Sequence, residues 1–158
     1  MRIILVGNDV LSPENLLRYL DESFLKAEIC PCPSGPMAVE AAASDPALVV
    51  IAHMSLPGKE HGLDVLKQVK EVNPRAYTIL VVRLSLYENL EAAFKEQVDW
   101  IMEIPLNGGK IRRLLRKTFR DLEDQADYAR RQEIFHQINS SLIKNSERES
   151  ALKTRAPV

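Results

Sequence analysis

Four runs dominated by aliphatic and β-branched residues, "RIILVG" (2–7), "ALVVIAH" (47–53), "AYTILVV" (76–82) and the shorter "DWIMEI" (99–104), recur along the chain. Each is apolar at successive rather than alternate positions, which is the pattern of a strand covered on both faces. Amphipathic stretches separate them. "SPENLLRYLDESF" offers Ser12 as an N-cap and Pro13 at the first helical position, with Leu16, Leu17 and Leu20 on one face. A weaker strand is expected near Ala27 to Cys30, followed by a helix in "PSGPMAVEAAA" that stops before Pro46. "GLDVLKQVKEV" places Leu63, Val65, Leu66, Val69 and Val72 at helical spacing, and "LYENLEAAFKEQ" (86–97) repeats the helix signal. Strict alternation of short strands and helices predicts an α/β fold, a parallel sheet with helices on both sides.

The chain of 158 residues, 46% hydrophobic, can bury one substantial core, so one domain with an appendage is expected. A formal net charge of -1 argues against a nucleic-acid surface formed by the whole molecule. One local basic run stands out: Lys110, Arg112, Arg113, Arg116, Lys117 and Arg120, followed at once by Asp121, Glu123, Asp124 and Asp127. The acids cancel its field at long range, and Phe119 is its one aromatic residue, where a nucleic-acid site would interleave several. Cys30 and Cys32 flank a proline, a spacing too tight for a metal knuckle and strained as a disulfide, so both are expected reduced. The first apolar stretch is too short for a signal-peptide core or a membrane span, so a cytoplasmic protein is expected.

From Gly109 to about Ser146 no proline or glycine interrupts a run of helix formers, which predicts one long helix or two nearly continuous ones. Its first part should pack on the sheet through Ile111, Leu114 and Leu115. Leu115, Phe119, Leu122, Ala126 and Ala129 keep a heptad-like spacing, and Tyr128, Phe135, Ile138 and Leu142 form a second run shifted in phase. The expected organisation is a domain over 1–120, a helical tail with coiled-coil character over 121–146, and a frayed polar end over 147–158. Ile111, Leu115, Phe119, Leu122, Ala126, Phe135, Ile138 and Leu142 are the residues expected at a helix–helix interface.

Five strand–helix pairs in about 120 residues, with "LPG...HGLDVLKQV" after the third strand and "EIPLN" after the fifth, resemble the receiver domain of two-component response regulators. The placement of Pro57, Gly62 and Pro105 carries the likeness. It implies a flavodoxin-like (βα)5 three-layer sandwich with sheet order 2-1-3-4-5, an extended C-terminal helix, and a pocket at the carboxyl ends of strands one, three and four. An active receiver has there an aspartate that takes a phosphoryl group and an acidic pair that helps hold magnesium. A Thr or Ser after strand four and a Lys before the proline after strand five meet the phosphoryl oxygens.

This sequence departs at each of those positions. The acidic pair falls on Gly7 and Asn8, with Asp9 one residue further on; the phosphoacceptor falls on His53, the Thr or Ser on Val82 or Arg83, and the Lys on Ile104. The aromatic position on strand five falls on Ile101, or on Trp100 if the gap is placed differently. Loss of the nucleophile, the metal carboxylates and the lysine together implies a pseudo-receiver without catalytic residues, metal or cofactor. His53 is then a half-buried polar residue filling the vacated pocket. The Ile104–Pro105 bond is expected to be cis.

In the tail, "EIFHQINSSLIKN" looks like the phosphoacceptor box of histidine kinases. His136, Gln137, Ile138, Asn139 and Leu142 match, with Gln137 in place of Glu and Ser141 in place of the common Pro. Only 22 residues follow His136, and no ATP-binding motif is present, so the box implies either a piece of a larger kinase or an incidental likeness. The expected function is a non-enzymatic, phosphorylation-independent signalling module. It meets a protein partner, a histidine kinase or downstream regulator, through the helix over 86–97, the fifth strand and the following helix, and it forms a homodimer through the tail. The alternative is the receiver-like part of a histidine kinase or phosphotransfer protein acting through His136.

Overall fold

A computed structural model describes residues 1–7, 13–18, 27–45, 48–83 and 97–154. The chain divides into two compact units, Met1–Leu122 and Glu123–Val158. In chain order the elements are β1 (Arg2–Val6), α1 (Pro13–Leu17), β2 (Glu28–Cys32), α2 (Gly35–Ala43), β3 (Leu48–His53), α3 (Gly62–Val72), β4 (Tyr77–Val82), β5 (Trp100–Glu103) and α4 (Gly108–Thr154). All pairings are parallel and the sheet order is β2-β1-β3-β4-β5. The expected N-cap Ser12, Leu20 and the helix expected over 86–97, apart from Gln97, lie outside the described residues.

The apolar runs become strands because successive residues face two cores. Ile4, Val6, Val50, Ala52 and Leu80 pack with Ala38 and Ala42 of α2 and Leu66 and Val69 of α3. Ile3, Leu5, Val49, Ile51 and Ile79 pack on the opposite face with Leu16 of α1 and Ile111, Leu115 and Leu122 of α4. Asn73 closes one layer: its amide donates to the carbonyls of Ala42 at 3.1 Å and Asp45 at 2.7 Å, tying the ends of α2 and α3 together.

Two findings correct the sequence reading. Ile111 and Leu115 pack on the sheet as expected, with Leu114 against them, but they and Leu122, also named for an interface, are core residues with 2%, 0% and 3% of their surface exposed, and Phe119 is half-buried against them. A heptad-like spacing also suits a helix lying on a sheet, so spacing alone could not separate the two uses. The helix also runs through 147–154, the segment expected to fray. Glu147, Arg148, Glu149, Ala151, Leu152 and Lys153 are good helix formers, and Glu149 and Lys153 stand at the favourable i, i+4 spacing.

At the amino ends of β4 and β5 the Asp99 carboxylate accepts from the Thr78 N–H at 2.8 Å and its hydroxyl at 3.1 Å, and pairs with Lys70 at 2.8 Å. Thr78 is fully buried. Asp99→Ala should therefore destabilise the first unit by about 2 kcal/mol, the usual cost of orphaning buried donors, as read from urea unfolding.

Tyr77 donates its hydroxyl to Asp121 at 3.0 Å. Burial, then that hydrogen bond and the Asp121 charge, push its pKa up to about 12 from 10.0. The proton is held more tightly in the folded state, so the stabilisation is complete below pH 10 and is lost as pH rises to about 12. The stability difference between wild type and Tyr77→Phe should shrink across that window, with one tyrosine ionising late in an absorbance titration.

Candidate functional site

The carboxyl ends of the strands bring most of the expected pocket residues to one rim. Val6 lies opposite Ala52, His53 opposite Val81, and Val82 opposite Glu103, so Gly7, His53, Val82 and Ile104 follow one another across the sheet. The ladders continue past the strands through Met54 N–H to the Val81 carbonyl at 2.8 Å and Ile104 N–H to the Val82 carbonyl at 2.9 Å. Val82 is buried, Ile104 is half-buried in the core shared with α4, and Arg83 is exposed. Asn8 and Asp9 lie outside the described residues. The Ile104–Pro105 peptide is cis.

His53 is half-buried at the last position of β3, and its ring turns back on the loop. Nδ1 stands 3.1 Å from the Ser55 N–H and 2.9 Å from the Ser55 carbonyl, so it can accept from the first when unprotonated or donate to the second when protonated. The loop is drawn tight by a Ser55–His61 bridge, by Gly58 at φ 84°, and by the Gly62 N–H donating to the Met54 carbonyl at 2.9 Å. Pro57 before Gly58 suits a type II turn, which needs glycine at its third residue. A Cβ at Gly62 would overlap the His53 carbonyl oxygen.

Magnesium seeks several oxygen ligands in near-octahedral array. The described residues of this rim present an imidazole committed to Ser55, two aliphatic side chains and a glycine, a donor set that does not suit that ion. Among the described residues no group of three His, Cys, Asp or Glu side chains converges on a metal position.

A second feature lies along β5 and α4, two of the elements expected to meet a partner. β5, the following loop and the start of α4 border a groove of about 330 Å³ lined by Trp100, Glu103, Leu106, Asn107, Lys110 and Leu114 among others. Lys117 places its ammonium 4.8 Å from the centre of the Trp100 ring, and the buried indole Nε1 has no hydrogen-bond partner among the described residues. Trp100 packs with the α4 layer and Ile101 with the α2–α3 layer. The groove is lined by one continuous stretch, Trp100 to Leu114, in which no periodic spacing marks its shape.

In the second unit His136, Gln137, Asn139 and Leu142 are all exposed on α4. Tyr128, Ile134, Phe135, Ile138, Leu142, Ile143 and Leu152 are exposed as well, an unusual number of large apolar side chains for one helix. Ala126 is also exposed, while Ala129 is half-buried. No helix of the described residues is long and apolar enough to cross a membrane.

Neither a protein-family model nor a curated protein sequence matches the chain. Solved structures do. The signal receiver domain of an HD domain-containing protein from Pseudomonas fluorescens Pf-5 superposes with a TM-score of 0.65 at 19% identity, covering 80% of this chain and 91% of the other. The receiver domain of AraT, a response regulator from Geobacillus stearothermophilus, gives 0.65 at 20% identity, over 79% and 97%. The chain has the receiver fold. A structure of an adenylate cyclase from Rhodopirellula baltica is similar too, with a TM-score of 0.65 at 23% identity over 82% of this chain and 94% of that one. The rim of Gly7, His53 and Val82 lies at the carboxyl ends of the parallel strands, the side on which open α/β sheets in general hold ligands.

Proposed function

We propose that the chain is a cytoplasmic, non-catalytic signalling module, a receiver fold that works without phosphorylation, binds a protein partner and self-associates through its tail. The observation that carries the reading is His53. A half-buried imidazole tied to Ser55 ends β3 where a phosphoacceptor carboxylate would stand, and Ile104 occupies the lysine position. Among the described residues the rim offers no carboxylate nucleophile, and its one cation is the exposed Arg83 at the end of β4, a set poorly suited to taking up a phosphoryl group or sensing one. Partner binding then falls to surfaces. The β5–α4 groove, with Trp100, Lys110 and Leu114 along it, supports docking of a protein segment that offers apolar and acidic side chains.

Incubation of the full chain with acetyl phosphate and magnesium should leave its mass and its amide NMR spectrum unchanged. A stable phosphoryl adduct that disappears in His53→Ala would overturn the reading. The exposure of His136 on a continuous helix favours a second reading, phosphotransfer through the tail. That reading requires an acid-labile adduct from a partner kinase, lost in His136→Ala.

A further inference from the structure

We infer that the tail pairs with the tail of a second copy in antiparallel orientation, centred on residue 140, with Arg131 of each copy against Glu149 of the other. The inference rests on the proposed self-association through the tail and adds its direction. Steps of three and four along α4 select Tyr128, Arg131, Phe135, Ile138, Leu142, Asn145, Glu149 and Leu152, and all eight are exposed. Tyr128, Phe135, Leu142 and Glu149 fall on the a positions of a heptad, and Arg131, Ile138, Asn145 and Leu152 on the d positions. Among the described residues neither Arg131 nor Glu149 is held in an ion pair.

The charged members decide the direction. In a parallel pair in register each residue meets its own copy, so Arg131 faces Arg131 and Glu149 faces Glu149, two like-charge contacts within the seam. In an antiparallel pair an a residue of one helix faces a d residue of the other. Centring on residue 140 then sets Tyr128 against Leu152, Arg131 against Glu149, Phe135 against Asn145 and Ile138 against Leu142. Each contact occurs twice by symmetry. Both charges meet an opposite charge, and the aliphatic residues meet each other at the middle. Sliding by one heptad sets Glu149 against Asp124 in one direction and against Ile138 in the other, so the register is specified as well as the direction.

Sedimentation equilibrium of the full chain tests this. Arg131→Glu and Glu149→Arg should each weaken dimerisation roughly tenfold by setting like charges together, and the two combined should restore it. A second measurement reads direction by disulfide formation in a Cys30→Ser, Cys32→Ser background. Tyr128→Cys and Leu152→Cys chains should cross-link when mixed and not when alone, because about 36 Å of helix separates the two positions. A wild-type chain that stays monomeric at every concentration defeats both the self-association and its direction. Dimers in which Tyr128→Cys cross-links with itself defeat the direction alone. Dimers indifferent to all of these changes place the interface elsewhere and defeat both.

Discussion

Replacing Leu115 by alanine should lower the stability of the first unit by about 3 to 4 kcal/mol, the cost typical of emptying a well-packed core site. The side chain is fully buried between α4 and the sheet, among Met102, Ile111 and Leu122. The substitution removes the transfer free energy of the lost atoms and leaves a void that strands fixed on both sides cannot close. The measurement is urea unfolding with sedimentation on the same sample, because the two uses of such a residue separate there. A core residue lowers the unfolding midpoint while tail self-association of the folded chain persists. A seam residue would instead shift the dimer equilibrium and leave the fold's stability nearly untouched.

Gly62→Ala should cost about 3 kcal/mol, near the upper end of the usual penalty for overpacking. The methyl group would overlap the backbone carbonyl of His53, and the next nearest atoms are the His53 carbonyl carbon and the Met54 Cα, so no side chain can swing aside. Relief requires the start of α3 to move away from the end of β3. That movement strains the Gly62 to Met54 hydrogen bond and the loop carrying Ser55. The expected result is a lower thermal midpoint together with a shift of the His53 ring resonances. A full-strength fold with unchanged His53 signals would show that the loop is more compliant than its geometry implies.

Much of the fold could be read from residues that serve a single purpose. β1, β3 and β4 fall within a residue of their expected limits because unbroken aliphatic runs have no other stable place in a chain of this size. β2 was expected to end at Cys30 and instead reaches Cys32, because Pro31 reads as a strand breaker and is tolerated where a strand has a neighbour on only one side. The pocket rim was legible for the same reason as the strands: position at a strand's end sets it, and parallel register aligns the ends of β1, β3, β4 and β5. What His53 does there was not legible, since its partner is the backbone of Ser55 and not a side chain with a signature.

One reading exceeded what spacing can decide, and two contacts gave no signal in the sequence. The heptad from Leu115 to Leu122 is shared by sheet packing and helix pairing, and only burial tells them apart. The Asp99–Thr78–Lys70 cluster and the Trp100–Lys117 contact join residues about twenty positions or more apart, or on different elements, and polar or aromatic residues at such distances carry no periodic signal.

Pro31 has a further consequence. β2 is one outer strand of the sheet, and proline fits such a strand with its nitrogen turned outward, where an N–H would otherwise be offered to an incoming chain. β5, the outer strand on the other side, is only four residues long and gives way almost at once to Pro105. A sheet trimmed in this way is a poor template for the edge-to-edge strand addition that leads to fibres. The self-association proposed for the tail would then bring copies together without their strands joining in.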